Sequence, residues 1–239
     1  MRIALFGYGK MGNEIEKIAL ERGHEIVGIV NRTNPKEKLK LENIDVVIEF
    51  TSPDLAESHI NFCLENNLNI VVGTTGWYHK LDTLTKLCKE KNGAFLHATN
   101  FSIGVNLFFA MNKYLARMMN QFPEYKVSVT EIHHVQKLDA PSGTGISIAE
   151  QIIQNHDAFQ NWENVKKSQI TKDTTLSIES LRLPDVPGTH EVKYESEIDT
   201  IEIKHTAHNR KGFALGSVLA AEWLQNKKGV FTMNDVLNF

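Results

Sequence analysis

The residues best suited to chemistry lie in one stretch, Glu131 to Thr144, which reads E-I-H-H-V-Q-K-L-D-A-P-S-G-T. Two adjacent histidines, His133 and His134, are followed shortly by Lys137. An imidazole gains and loses a proton close to neutral pH, and a lysine ammonium held beside a reacting group can donate one. The stretch therefore predicts acid–base chemistry, with His133 and Lys137 as the candidate catalytic residues.

A strand must deliver these two histidines. Residues 125–133 alternate in character and are rich in β-branched side chains, which is typical of a strand that ends at the histidines. Because consecutive strand residues face opposite sides, one histidine can point into a cleft while the other braces it. The alternative is that each histidine is an ordinary structural residue.

A helix start follows the lysine. Residues 141–144 read P-S-G-T and precede apolar residues at helical spacing, so Ser142 or Thr144 is predicted to cap a helix. The backbone N–H groups of Gly143 and Thr144 could then bind a carboxylate. Such a cap is often only structural, but its closeness to the histidines favours a substrate site. We expect Gly143, Thr144 and the more distant Arg210 to bind an anionic substrate.

A glycine-rich turn stands near the beginning of the sequence. The apolar run at residues 2–6 leads into G-Y-G-K-M-G and then into a helical pattern, with a second strand predicted at residues 25–30. In this context Gly7 allows the tight turn, Gly9 lets the backbone approach a pyrophosphate, and Gly12 permits close packing of helix on strand. The residues predicted to bind a dinucleotide here are Gly7, Tyr8, Gly9, Lys10, Met11 and Gly12.

The residues after the second strand bear on the choice of nucleotide. An acid there would bind the adenosine ribose of NADH, but this chain has Asn31 and Arg32. Asn31 can still bond a hydroxyl, and the Arg32 guanidinium suits the 2′-phosphate of NADPH. NADPH is therefore at least as well supported as NADH, and both stay open. The alternative for Arg32 is an ordinary surface charge.

Two further turns are candidates for contact with the nicotinamide half of the cofactor. In parallel sheets, ligands bind beyond the carboxyl ends of the strands, and V-G-T-T-G and A-T-N-F each follow a predicted strand. The residues concerned are Gly73, Thr74, Thr75, Ala98, Thr99, Asn100 and Phe101. The competing interpretation is that these segments are tight turns and nothing more.

The order of predicted elements gives the fold class. Strands and helices alternate over the first hundred residues, which predicts an α/β, Rossmann-type parallel-sheet domain. Later strands gather together, which predicts a second α+β domain, after which helices return to the first. The predicted domains are residues 1–102 plus 211–239, and 103–210. A polar, indel-tolerant stretch spans roughly residues 155–175.

Composition narrows the class of protein. The sequence has 239 residues, a formal net charge of −3 and two cysteines. This charge predicts no nucleic-acid partner, and no apolar run approaches membrane-spanning length. Cys63 and Cys88 lack metal-type spacing, so free thiols in a reducing compartment are expected. We predict a soluble, cytoplasmic protein without a membrane partner or a metal.

Beyond these patterns, the sequence resembles the dihydrodipicolinate reductase family over essentially its whole length. The matching motifs are G-Y-G-K-M-G, F-T-S-P, V-G-T-T-G, A-T-N-F-S-I-G-V-N, the Glu131–Thr144 stretch, P-G-T-H-E-V and A-A-E-W-L. The resemblance implies NADPH- or NADH-dependent reduction of 4-hydroxy-tetrahydrodipicolinate, a small dicarboxylate of the diaminopimelate route to lysine, by a homotetramer.

The resemblance also assigns roles to particular residues. It implies that His133 is a proton donor or acceptor, that Lys137 is the proton donor, and that His134 contacts substrate. Gly143 and Thr144 would bind one substrate carboxylate. Arg32 would meet the adenosine phosphate of NADPH, and Gly7 to Gly12, Gly73 to Thr75 and Ala98 to Phe101 would line the nucleotide site. The resemblance also implies that the second domain binds substrate and forms the tetramer.

Three other functions compete with this one. A different two-domain dehydrogenase, for example one acting on a semialdehyde, would need an activated cysteine where this chain has only Cys63 and Cys88 in predicted helices. A redox sensor without catalysis would share the glycine turn but would not need the histidine–lysine stretch. A metallohydrolase built from His133, His134, His205 and His208 lacks the H-E-x-x-H spacing.

Overall fold

The computed structural model describes residues 1–165 and 172–239. These form two compact units, residues 1–103 with 210–239, and residues 104–209. Arg210, which the predicted boundaries place in the second domain, falls in the first unit. Part of the stretch predicted to be polar and indel-tolerant, residues 166–171, lies outside the described residues.

The strands and helices follow the chain in a regular order. The strands are β1 (Arg2–Phe6), β2 (Glu25–Val30), β3 (Val46–Glu49), β4 (Asn69–Val72), β5 (Ala94–His97), β6 (Lys126–His133), β7 (Asn161–Val165), β8 (Thr175–Arg182), β9 (Gly188–Glu195), β10 (Thr200–Ala207) and β11 (Gly229–Phe231). The α-helices are α1 (Lys10–Glu21), α2 (Pro53–Glu65), α3 (Leu81–Glu90), α4 (Ile103–Met119), α5 (Gly143–Ile153), α6 (Lys211–Leu224) and α7 (Met233–Leu237).

The first unit is built on a parallel sheet with the strand order β11-β5-β4-β3-β1-β2. Its central strands are apolar on both faces, as required when helices cover both sides. Ile15 of α1 and Val218 of α6 pack on one face, and Ile60 of α2 and Leu84 of α3 on the other. The strand order reverses beside β1, which places the expected ligand crevice at the loop after β1.

The second unit contains a mixed sheet with the order β10-β9-β6-β8-β7. Strand β6 runs parallel to β8 and antiparallel to β9. Alternate residues of β6 are buried, and Val129 packs with Phe108 of α4 and Ile148 of α5 in a single core. The predicted combination of a Rossmann-type domain and a second α+β domain is therefore confirmed.

Some elements were not predicted. Strand β7 lies inside the stretch that is predicted to be polar and indel-tolerant, where N-W-E-N-V shows no clean alternation. Among the described strands it pairs with β8 alone, at the edge of the second sheet. Strand β11 has only three residues and was also missed. Ser52 precedes α2, but its side chain makes no capping hydrogen bond. Among the described residues, no helix has both the length and the apolar character to cross a membrane.

One close contact in the first unit gives a stability prediction. A Cβ at Gly216 of α6 would lie 1.7 Å from the backbone oxygen of Phe101, which cannot move aside without displacing the chain. We expect Gly216→Ala to lower the free energy of unfolding by about 1–3 kcal/mol or more, the range for overpacking. Gly212→Ala in the same helix is the matched control, because its Cβ would meet only Ser102 Oγ at 3.6 Å. Denaturant titration of both variants measures the difference, and equal midpoints would contradict it.

Candidate active site

The glycine turn of the first unit has the shape that dinucleotide binding needs. Gly7 has a positive φ of 94°, and a Cβ there would lie 2.0 Å from the Phe50 oxygen. A Cβ at Gly12 would lie 2.4 Å from the Gly7 oxygen, whereas one at Gly9 would meet nothing within 4 Å. Space for a ligand is thus left at Gly9, which precedes α1 and gives it no side-chain cap. The residues present fit a pyrophosphate on the open helix start.

Other residues of this turn differ in what their side chains do. Tyr8 and Met11 are partly buried and pack against the core, and the Tyr8 hydroxyl bonds the carboxylate of Glu16. Lys10 is exposed. Tyr8 and Met11 can therefore offer backbone groups to a nucleotide, while Lys10 can also offer its charge.

The turn after β2 is shaped by Asn31. Its side-chain oxygen accepts hydrogen bonds from the amides of Thr33 and Asn34, at 3.0 and 2.9 Å, and from the Thr33 hydroxyl. Three donors occupy this oxygen, so a ribose hydroxyl would have to accept from the Asn31 side-chain NH2 group, and that contact stays a prediction. Arg32 is exposed at the tip of the turn, and within residues 1–165 and 172–239 no carboxylate pairs with it.

The turns after β3 and β4 are joined by a buried carboxylate. Glu49 Oε1 accepts hydrogen bonds from the Thr74 hydroxyl at 3.0 Å and from the amide of Thr51 at 3.1 Å. Thr74 is buried and Thr75 is exposed, so Thr74 supports the turn and Thr75 faces outward. A Cβ at Gly73 would lie 2.1 Å from the Phe50 ring, which explains the need for glycine.

The turn after β5 likewise combines buried residues that support it with residues that stay exposed. Phe101 is buried against Phe50, with ring centroids 5.8 Å apart, and the Asn100 side chain accepts a hydrogen bond from the Ser102 amide. Thr99 is exposed and Ala98 half-buried. The predicted residues Gly73 to Thr75 and Ala98 to Phe101 thus follow β4 and β5, which are neighbours in the same parallel sheet.

The histidine stretch of the second unit centres on Glu131, which is fully buried. His133 lies two residues on along the same face of β6, with its Nδ1 3.4 Å from Glu131 Oε2. His190 of β9 pairs with Glu131 across the sheet, and its ring meets that of His133 edge-on at 5.1 Å. The structure therefore adds His190 to the two histidines predicted from the sequence.

Burial and charge set the protonation of these groups. Burial would raise the pKa of Glu131, but hydrogen bonds from Ser142 and the neighbouring His133 hold it below its ordinary value. Burial lowers the pKa of His133; Glu131 opposes this shift, and Lys137 adds to it. Burial also lowers the pKa of His190 to about 3. Near neutral pH the site thus holds a carboxylate and two neutral imidazoles.

Lys137 lies in the loop that follows β6. Its ammonium bonds both carboxylate oxygens of Asp139, at 2.8 and 2.9 Å. The hydrogen bond from Lys137 lowers the pKa of Asp139, whose side chain is mostly exposed. The Lys137 side chain is less exposed, at 22% against 60% for Asp139. An exposed ion pair of this kind is weak, so a substrate carboxylate can replace Asp139 at little cost.

The start of α5 is capped by Ser142, one of the two residues proposed for this role. The Ser142 hydroxyl accepts a hydrogen bond from the Gly145 amide at 3.0 Å and lies 3.3 Å from His190 Nε2. A Cβ at Gly143 would meet nothing within 4 Å, so the first turn is open beside Gly143. Gly143 and Thr144 begin the helix, as an anion site requires.

Glu131, His133 and His190 also bring three metal-ligating atoms within 4.8 Å of one another. This group differs from the histidine set weighed from the sequence. The Ser142 amide already bonds Glu131 Oε2, and the Arg182 guanidinium bonds Oε1. Hydrogen bonds and a fixed positive charge thus satisfy the carboxylate, and the cation repels a second one.

Comparison with known proteins gives the family of this chain. The family model described as "Dihydrodipicolinate reductase, N-terminus" matches residues 1–101, and that described as "Dihydrodipicolinate reductase, C-terminus" matches residues 104–237. The chain belongs to the dihydrodipicolinate reductase family. A 4-hydroxy-tetrahydrodipicolinate reductase from Christiangramia forsetii is 45% identical over 238 residues, which cover 100% of this chain and 98% of that protein.

Solved structures give the same family. The dipicolinate-bound dihydrodipicolinate reductase from Paenisporosarcina sp. TG-14 has a TM-score of 0.79 and 26% identity, covering 97% of each chain. The DAP dehydrogenase of C. glutamicum in complex with DAP has a TM-score of 0.52 and 14% identity, covering 97% of this chain and 92% of that one. The second likeness shows the fold alone.

In this member of the dihydrodipicolinate reductase family, the second unit carries five of the predicted residues at the end of β6, in the loop after it and at the start of α5, namely His133, His134, Lys137, Gly143 and Thr144. Arg210 lies in the other unit, exposed, directly before α6, and its part in substrate binding stays a prediction.

Sequence reasoning missed Glu131, Arg182, His190 and Glu49. Only Glu131 carried a local signal, since an acidic residue two places before a histidine on a predicted strand shares its face. The other three are brought into place by strand pairing or by contact between turns.

Proposed function

We propose that this protein reduces 4-hydroxy-tetrahydrodipicolinate to tetrahydrodipicolinate with NADPH or NADH, as a step of lysine and diaminopimelate biosynthesis. Membership of the dihydrodipicolinate reductase family supports the reaction class. One observation in the second unit carries the proposal. The buried His133 ends β6, Lys137 lies in the loop that follows, and this loop leads to the open start of α5. The dinucleotide-shaped glycine turn of the first unit supplies the other requirement.

The nicotinamide cofactor, when bound, supplies the hydride. The chain's own residues then have three tasks: to hold the dinucleotide, to hold a dicarboxylate and to provide a proton. Gly7, Gly9 and Gly12 with the start of α1 would hold the pyrophosphate, and Arg32 the adenosine phosphate. The turns after β4 and β5 would line the nicotinamide half.

Lys137 is the proposed proton donor. Its ammonium changes partner from Asp139 to substrate in this proposal, which brings it to the reacting ring. His133 is neutral there and can accept or relay a proton. The negative charge of Glu131, 3.4 Å from His133 Nδ1, would stabilise the protonated ring.

Substrate carboxylates are bound, in this proposal, by groups around α5 and beyond. The amides of Gly143 and Thr144 would hold one carboxylate at the helix start, and His134 would contact the same ligand. We assign Arg210 to substrate binding as well. These contacts would orient the ring for reaction, an effect worth several kcal/mol in favourable cases.

We also propose how the chains assemble. The face of the second sheet opposite α4 and α5 presents Ser128, Thr130 and Ile132, which stay partly exposed, and we propose that it forms the interface of a homotetramer. Light scattering measures the mass of the assembly.

The proposed location is the cytoplasm. Cys63 and Cys88 are free, buried thiols, which suits a reducing cytoplasm.

A semialdehyde dehydrogenase is disfavoured by the cysteines. Burial raises the pKa of Cys63, and burial also raises that of Cys88, so neither thiol is activated as a nucleophile. The two cysteines are the only ones in the sequence.

The proposed reaction is tested by a coupled assay. A purified synthase generates the hydroxy-tetrahydrodipicolinate, and the protein is added with NADPH or with NADH while absorbance follows nucleotide oxidation. Oxidation that depends on both the protein and the generated substrate supports the proposal. If a nucleotide binds but neither NADPH nor NADH is oxidised, the result contradicts the reductase and favours the alternative of a redox sensor.

A further inference from the structure

The buried carboxylate of Glu131 organises more of the second unit than the proposed proton transfer uses. Its Oε2 accepts a hydrogen bond from the Ser142 amide at 3.0 Å, and its Oε1 one from Arg182 Nη2 at 3.1 Å. A fully buried carboxylate requires such partners, because removal from water is costly for an unpaired charge. Glu131 thereby ties the end of β6 to the start of α5.

Arg182 extends this link to the loop that carries the lysine. It ends β8 and lies opposite His133 in the parallel ladder. Its Nη2 also donates to the carbonyl oxygen of Asp139 at 2.6 Å, and its Nε to that of Lys137 at 3.3 Å. One planar guanidinium therefore holds a carboxylate and two loop carbonyls, which the single ammonium of a lysine could not match.

The same loop has two further anchors. The Leu183 amide donates to the His133 carbonyl oxygen at 2.8 Å, and the Lys137 amide to that of His134 at 3.0 Å. These bonds fix where the loop leaves β6, whereas the Arg182 bonds fix its middle. Without the guanidinium, the Lys137 and Asp139 carbonyls would lose the partner that joins them to Glu131.

We infer that Glu131 and Arg182 are positioning residues, which fix the backbone of residues 134–142 and so place the Lys137 ammonium and the first turn of α5 for reaction. The inference rests on the proposed function for its catalytic consequence. The structural role of Arg182, to hold the loop in place, can be measured separately from catalysis.

The kinetic test uses Arg182→Ala in the full-length protein. We expect kcat/KM for the generated substrate to fall about 100-fold, the cost of a small misplacement of reacting groups, while NADPH affinity stays within about twofold. Added guanidinium or ethylguanidinium, at concentrations that leave wild type folded, should recover part of the loss. Arg182→Lys keeps the charge without the planar fork, so its kcat/KM should lie between that of wild type and that of Arg182→Ala.

Arg22→Ala is the matched control. Arg22 also pairs with a carboxylate, bonding Glu222 through Nε and Nη2 at 2.8 Å each, but it belongs to the first unit, whereas the loop belongs to the second. Its kcat/KM should stay near wild type and should not respond to guanidinium. A wild-type kcat/KM in Arg182→Ala, or a loss that guanidinium does not reverse, would overturn the positioning role.

Hydrogen exchange separates this inference from the proposed reaction. Arg182→Ala should speed amide exchange in peptides covering residues 134–142, and Arg22→Ala should not. Unchanged exchange in that segment would refute the inference even if the enzyme is active, whereas an inactive wild type would refute only the reaction. If Arg182→Ala does not fold, Arg182→Lys replaces it in the kinetic measurement and the isosteric Glu131→Gln in the exchange measurement, where faster exchange of residues 134–142 is again expected.

Discussion

Replacing Lys137 with methionine is expected to lower turnover by about two to four orders of magnitude, the range for loss of a general acid. Methionine keeps an unbranched stem but removes the ammonium that now bonds Asp139. Nucleotide affinity should hardly change, because Lys137 belongs to the second unit and the glycine turn to the first. Stopped-flow turnover and fluorescence titration with NADPH measure the two quantities.

Lys17→Met controls for the loss of a lysine–carboxylate pair in general. Lys17 bonds Glu14 at 2.8 Å on the surface of α1, so its removal should leave turnover near wild type. Unchanged turnover in Lys137→Met would show that another group donates the proton. A loss confined to KM would instead assign Lys137 to binding.

The second large effect concerns the choice of nucleotide. Arg32→Ala is expected to weaken NADPH by about 1.5–3 kcal/mol, the range for a hydrogen bond to a charged group, and to leave NADH nearly unchanged. The reason is the exposed guanidinium at the tip of a turn that Asn31 holds in shape. Because the Asn31 oxygen already accepts hydrogen bonds within the turn, we expect the turn to bind a 2′-phosphate, through Arg32, more strongly than a ribose hydroxyl. Titration of each nucleotide against each variant measures the difference.

Two variants of the same turn sharpen this test. Arg32→Lys keeps the positive charge and should lose part of the NADPH affinity, because the planar fork is gone. Lys38→Ala removes an exposed positive charge six residues after Arg32 and should lose little of the NADPH affinity. Equal losses for NADH and NADPH in Arg32→Ala would show that Arg32 supports the fold or the shared pyrophosphate.

Local signals predicted the parts of the site that local geometry fixes. The glycines of the first turn and the Ser142 cap depend on residues next to them in the chain, so their spacing was informative. Asn31 also had a local signal that was not used, because asparagine side chains often bond the backbone two residues on. Its engagement in the turn could therefore have been foreseen.

Pairing between distant strands set the rest. His190 reaches Glu131, and Arg182 reaches the Lys137 loop, only because β9 and β8 lie on either side of β6. The register that aligns His133 with Arg182 depends on the packing of the whole sheet, which spacing along the chain does not encode. The short strands β7 and β11 were missed for the same reason, since pairing defines them more than their own side chains do.

The return of the chain to the first unit has a consequence for its synthesis. Helix α6 covers one face of the first sheet and β11 completes its edge, yet both follow residue 209. A nascent chain that has emerged only to residue 209 holds every described strand of the second sheet, while the first still has apolar surface open to water. The second unit can thus complete its core on the ribosome before the first, against the usual order in which amino-terminal domains fold earliest.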